Sequence, residues 1–362
     1  MKAKMHKATT FGYGLLMLCL LSLWALDVQA QDIGGGGGSL GESRGVRSGT
    51  AGAAELLVPL TARYTALGAT TTSGLAGMNG LEALYANPAG LALNQGTTAL
   101  FSRLDYVADI GVNYFGIGQS FGGHNLAFTI AAWDFGEIFK QTEASPEISD
   151  VTFDVSFFTA GLSYARQLTD RIAAGATVKV VSESIDDISA SAMAIDAGMT
   201  YVVGESGWRL GVSLKNIGNE LTFAGTGLIR QVSLPNQDPS ANVNAVAIES
   251  EGVQLPSLLN FGASYTREVG AGAVVTVLGN FRSNSFDQDQ YSGAVELGFQ
   301  DIIYIRGGYQ LTDDMDQTFF KGVTFGAGLQ LDLGGSRIAI DYALVPTDFF
   351  DDLQYITASV TL

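Results

Sequence analysis

The chain has 362 residues, with 36 Asp+Glu against 19 Lys+Arg and a formal net charge of −17. A surface this acidic repels phosphate backbones, so a nucleic-acid partner is excluded. The only cysteine, Cys19, falls in the N-terminal apolar run, and the two histidines are His6 and His124. Disulfides, thiolate metal sites and histidine acid–base centres are therefore not expected, and no cofactor is implied.

Residues 1–30 carry Lys2, Lys4 and Lys7, an apolar run from Phe11 to Leu26, and Val28-Gln29-Ala30, the pattern of an export signal cleaved after Ala30. That apolar run is shorter than the ~20 residues a membrane-crossing helix needs. Residues 31–54 include Gly34 to Gly38 and read as a flexible glycine-rich lead. Segment 55–96 has short apolar patches broken by glycine. Within it Leu81, Leu84 and Tyr85 fit one helical turn that Pro88 cannot extend. Asn87-Pro88-Ala89-Gly90 then reads as a sharp reversal, with Gly90 supplying conformational freedom. The segment is the right size to plug a lumen from the periplasmic side, with Arg63, Leu84 and Tyr85 as packing residues.

From residue 97 the pattern has a period of two. In 323–332, Val323, Phe325, Ala327, Leu329 and Leu331 share one face, opposite Thr324, Gly326, Gly328, Gln330 and Asp332. Ile338, Ile340, Tyr342 and Leu344 alternate with Ala339, Asp341 and Ala343, and the chain ends with Ile356, Ala358, Val360 and Leu362 on one face. Apolar side chains facing one way and small or polar ones the other are what a lipid-embedded strand requires. Fourteen such segments follow one another: 97–106, 110–120, 124–140, 150–166, 171–185, 189–203, 208–217, 255–267, 270–283, 289–299, 302–313, 320–332, 336–346 and 353–362. The expected fold is all-β, a membrane-spanning antiparallel barrel over 97–362 with a partly helical N-terminal plug.

Loop length supports this. Connections after even-numbered strands are short, such as Gly122-Gly123 and Gly334-Gly335. Those after odd-numbered strands are mostly long and acidic, with the longest at 218–254. Short turns belong to the periplasmic rim and long loops to the outside, so the expected location is the bacterial outer membrane as a multi-pass barrel. The acidic loops either solvate the rim or hold divalent cations that bridge to lipopolysaccharide. Residues 218–254 leave room for an additional hairpin. His124, in Gly-Gly-His-Asn, reads as a turn residue. No nucleophile elbow, phosphate loop or spaced carboxylate pair is present, so no catalytic residue is assigned and the chain is not read as an enzyme.

The stretch ARYTALGATTTSGLAGMNGLEALYANPAGLA resembles the N-terminal signature of PorV/PorQ-like outer-membrane proteins, within the broader FadL-type superfamily. Ala62-Arg63 and Leu67-Gly68 match its opening, and Ala83 with Asn87, Pro88, Ala89, Gly90 and Leu91 its close. GVSLKNIG at Gly211 to Gly218 is similar to a mid-barrel segment of that family, and IRGGYQLTDD, GVTFGAGLQL and IAIDYALVP to its C-terminal strands. Two departures stand out: acidic residues frequent in relatives are replaced by TTTSGLAGMNG, and the chain ends in Leu362 rather than an aromatic. The resemblance implies a non-enzymatic outer-membrane protein of type IX secretion or surface attachment, whose partners would be secretion-apparatus proteins or exported substrates. The alternative it carries is a FadL-like channel for long-chain fatty acids or other hydrophobic small molecules. For that reading, Gly211, Gly262, Gly298, Gly307 and Gly308 would bend the wall, open it, or permit close packing.

Overall fold

The computed structural model describes residues 50–75, 78, 80–141, 151–232, 244–270, 272–312 and 320–362. The proposed signal, most of the glycine-rich lead and parts of three long loops lie outside the described residues.

The wall strands are β1 (Thr97–Asp105), β2 (Gly111–Phe121), β3 (His124–Asp134), β4 (Val155–Thr169), β5 (Ile172–Ile185), β6 (Ile188–Val202) and β7 (Trp208–Gly218). They continue as β8 (Leu258–Gly270), β9 (Ala273–Asn284), β10 (Gln290–Phe299), β11 (Ile303–Thr312), β12 (Val323–Leu333), β13 (Ser336–Val345) and β14 (Leu353–Thr361). Each pairs antiparallel with its sequence neighbours, and β1 pairs with β14 from Thr98↔Thr361 to Asp105↔Gln354. The result is a closed barrel of fourteen strands, as the alternation predicts.

Closure leaves no sheet edge in the hydrocarbon, where each unpaired backbone group would cost several kcal/mol. Residues 218–254 do contain a hairpin, Ile229–Val232 with Asn244–Ala247, but it stands outside the wall because β7 and β8, the strands this segment connects, pair directly.

The period of two sorts side chains as expected. Phe101, Ile117, Leu162, Ile195, Ile340 and Ile356 lie on the outer face, while Ser102, Thr177, Asp196, Thr324, Asp341 and Thr357 are buried on the inner one. Tyr164, Tyr201, Trp208 and Phe299 form an aromatic girdle near the short-turn rim, and Phe158, Tyr291, Tyr309 and Phe325 form another near the loop rim. Aromatic rings with polar tips settle at the two lipid–water boundaries. The barrel thus crosses the outer membrane repeatedly, and its short turns mark the rim that such barrels turn toward the periplasm.

The two-residue turns Gly122-Gly123 and Gly334-Gly335 have positive φ at both positions, which matches the twist of the strands they join. His124 is not in the turn. It opens β3, and its Nδ1 lies 2.7 Å from the Tyr164 hydroxyl.

Candidate functional site

The interior is filled by the segment ahead of β1. It begins at the outer rim, where the Gly52 N–H donates to the Gln254 carbonyl at 2.9 Å. A 3-10 turn (Ala54–Leu57) leads to helix α1 (Ala62–Ala66), which lies against β12, β13 and β14. The chain then crosses the lumen. A second 3-10 turn (Thr71–Ser73) packs on β7 and β8, and helix α2 (Leu81–Leu84) with a third (Pro88–Leu93) returns it to β4, β5 and β6. It leaves at the periplasmic rim, where the Gly96 carbonyl accepts from the Ser120 N–H. The plug therefore runs the whole length of the barrel from the outer rim, rather than filling it only from the periplasmic side.

The turn at Asn87–Gly90 is the tightest joint between plug and wall. Asn87 Oδ1 accepts from the Ala89 N–H at 3.0 Å and so caps the 3-10 turn, in which Pro88 takes the first position where no N–H is needed. Its Nδ2 donates to the Thr72 carbonyl at 2.8 Å and to the Met199 and Val212 carbonyls at 3.2 Å each. Gly90 is not the flexible reversal expected from sequence. It sits inside the 3-10 turn without a positive φ, and glycine is required because a Cβ there would lie 2.4 Å from that of Ala83.

The wall meets this joint with glycine. A Cβ on Gly198 would fall 1.9 Å from Asn87 Oδ1, and one on Gly175 would fall 2.4 Å from the Pro88 carbonyl oxygen. Gly175 and Gly198 are directly paired across β5 and β6, as Gly211 and Gly262 are across β7 and β8, where the Thr72-Ser73 backbone docks. Gly308 receives Gly68 in the same way. Of the glycines considered for bends or openings, Gly211, Gly262 and Gly308 thus serve close backbone approach.

Arg63 joins the plug to a charged network. It donates to Glu296 through Nε at 3.1 Å and Nη2 at 2.9 Å, and through Nη1 to Glu82 at 3.3 Å. Arg306 Nε donates to Glu296 at 2.6 Å, and its Nη1 to Asp341. Across the lumen, Tyr85 donates its hydroxyl to the Val58 carbonyl at 2.6 Å, and Lys215 Nζ donates to the Tyr85 carbonyl at 2.7 Å.

Lys215 and Asn216 both point inward because one residue of β6, Asp196, faces these two of β7 in a bulge, and Asn216 takes φ +60°. Asn216 N–H and Lys179 Nζ then converge on Asp196 Oδ1 at 2.7 and 2.8 Å. Two consecutive polar residues in GVSLKNIG break the alternation, and that break was the signal for the bulge. Glu296, Arg306 and Asp341 are charges on the inward phase of their strands, but their partners only become visible once register is known.

Not all of the lumen is polar. Leu84 packs with Leu81, Leu91, Leu100 and Tyr114 in one apolar cluster. Val58 and Leu60 extend it toward the outer rim, where Leu104, Val112, Trp133, Leu353 and Tyr355 form a second cluster fringed by Tyr106, Phe135 and Phe157. Near the periplasmic rim a polar cavity of about 520 Å³, lined by Glu82, Asn94, Thr98, Gln330, Ser359 and Leu362 among others, lies beneath the plug. Among the described residues no group of histidine, cysteine, aspartate and glutamate is placed to hold a metal.

Glu55, at the outer start of the plug, is buried, and this together with the neighbouring Glu183 raises its pKa from 4.5 to about 8. Lys179, Asp196 and Lys215 share its surroundings. Because the folded pKa is the higher one, its contribution to plug seating is fully present below about 4.5 and is lost as pH rises through about 8. Single-channel conductance is accordingly expected to rise between pH 6 and 9, and Glu55→Gln should flatten that dependence.

No family model and no curated protein matches the chain. Among solved structures, the CymD monoaromatic hydrocarbon channel aligns with 12% identity over 84% of this chain and 97% of that one, at a TM-score of 0.50. The Pseudomonas putida toluene transporter TodX aligns with 13% identity over 82% and 96%, at 0.49, and a Pseudomonas aeruginosa FadL homologue with 10% over 84% and 98%, at 0.47. The chain thus shares its fold with the CymD monoaromatic hydrocarbon channel.

Proposed function

We propose that the protein is a non-enzymatic, gated channel that carries hydrophobic small molecules across the outer membrane. The observation that carries this reading is the apolar sector of the lumen. It descends from the aromatic fringe at the outer rim, past Leu60 and Leu84, to Leu81 and Leu100, and is built from plug and wall side chains together. A water-filled porin has no need of such a sector, whereas a solute poorly soluble in water would partition into it. The likeness in fold to a monoaromatic hydrocarbon channel supports the same conclusion.

A second reading, a PorV/PorQ-type role in type IX export or surface attachment, is favoured by the N-terminal signature from Ala62 to Leu91. The two are separated by deleting the gene and measuring uptake of toluene and long-chain fatty acids alongside the secreted and surface proteins. Impaired uptake with an intact secretome is the expected result. Loss of secreted proteins bearing C-terminal sorting domains, with uptake intact, would transfer the assignment to export.

A further inference from the structure

A second cavity, of about 60 Å³, lies between the plug and the outer half of β2 to β7. Its apolar lining comes from Leu56, Leu60, Leu84, Tyr114 and Trp133. Its polar lining is mostly committed: Lys179 to Asp196 at 2.8 Å, Lys215 to the Tyr85 carbonyl, and Asp196 also to the Asn216 N–H. Glu55 differs. It is 7% exposed and lines the cavity, yet its Oε1 has no hydrogen-bond partner. An acceptor left unmade in an apolar setting is costly, and a native protein retains one where something else completes it.

We infer that the transported molecule is an apolar ring or chain bearing one neutral or cationic hydrogen-bond donor, such as a phenol, alcohol or amine, and that Glu55 is the acceptor that selects it. The inference rests on the channel reading and narrows its substrate class. A carboxylate is disfavoured here: Asp196 lines the same cavity, Glu183 neighbours Glu55, and both lysines are already engaged. A plain hydrocarbon fills the apolar lining but leaves Oε1 as it is. The cavity is too small for a six-membered ring, so a solute must displace Leu60 or Leu84. Both belong to the plug, and occupancy is thereby coupled to plug movement.

The test uses the full-length protein in liposomes and radiolabelled toluene, p-cresol and p-toluate, which differ only in the polar group. Equilibrium binding and efflux should favour p-cresol over toluene by at least about fivefold, the order of one neutral hydrogen bond, with p-toluate weakest. Glu55→Leu should bring the cresol-to-toluene ratio to about one, while Glu55→Gln, which keeps a carbonyl acceptor, should retain most of the preference. Heat-modifiable migration in gels verifies that each variant is folded.

A wild-type ratio near one, or a ratio that survives Glu55→Leu, overturns the donor inference while leaving the channel reading in place. Binding of none of the three overturns both.

Discussion

Replacing Gly198 by leucine is expected to unseat the plug and leave the wall intact. Its Cβ alone would lie 1.9 Å from Asn87 Oδ1 and 3.2 Å from Pro88 Cδ, and the opposing atoms belong to a capped turn held by three further hydrogen bonds. Overpacking of this kind ordinarily costs about 1–3 kcal/mol where side chains can yield. Here little can yield, and the polar contacts of Asn87 to Met199 and Val212 are lost as well. Single-channel conductance and sensitivity to large antibiotics should both increase markedly, while the folded barrel stays heat-modifiable. Pro88→Ala combined with Gly90→Ala should act in the same direction. Gly279→Ala serves as the control: a Cβ there meets nothing nearer than the Ser292 carbonyl oxygen at 4.0 Å. Unchanged conductance in Gly198→Leu would show that the turn is only a connector.

The second large effect is expected at Arg63. Arg63→Met leaves Glu82 without its cation and Glu296 with Arg306 alone, and all of these side chains are largely buried. Breaking a buried pair from one side costs roughly 3–5 kcal/mol, because the abandoned charge stays buried. Chemical denaturation of the purified barrel should show that loss, and Glu82→Gln added to Arg63→Met should restore part of it. Arg337→Met, which removes an exposed pair with Asp332 at 2.8 Å, should change stability by less than about 1 kcal/mol. Equal losses at the two sites would mean that the lumen is as well hydrated as the surface.

The difference between these two arginines marks where sequence reading stops. The wall was legible because lipid on one side and polar contents on the other impose a period of two, as at Phe325 against Thr324, and because turn length alternates with side. A one-turn helix at Leu81–Leu84 and a break at Pro88 were legible from local chemistry. What Asn87 does was not, since Thr72, Met199 and Val212 come together only through the registers of strands far apart in the chain. Arg63 could be named as a packing residue, but Glu296 and Arg306 could not be named as its partners. The direction of the plug was also hidden, because nothing local to Gly52 says that it will meet Gln254.

That direction constrains the order of assembly. The plug traverses the lumen and continues without interruption into β1, the strand whose ladder with β14 joins residues as distant as Thr98 and Thr361. Completing that ladder and enclosing the plug are hence a single event. An empty cylinder that is filled afterwards would require the plug to be drawn through the finished bore until Gly52 reached Gln254. The Ala62 N–H bond to Thr357 Oγ1 and the Thr324 Oγ1 bond to the Ala66 carbonyl hold α1 against the late strands. The segment that later blocks the passage thus also acts as the mandrel around which the cylinder is wound, and the slow step of such a long loop closure carries the gate with it.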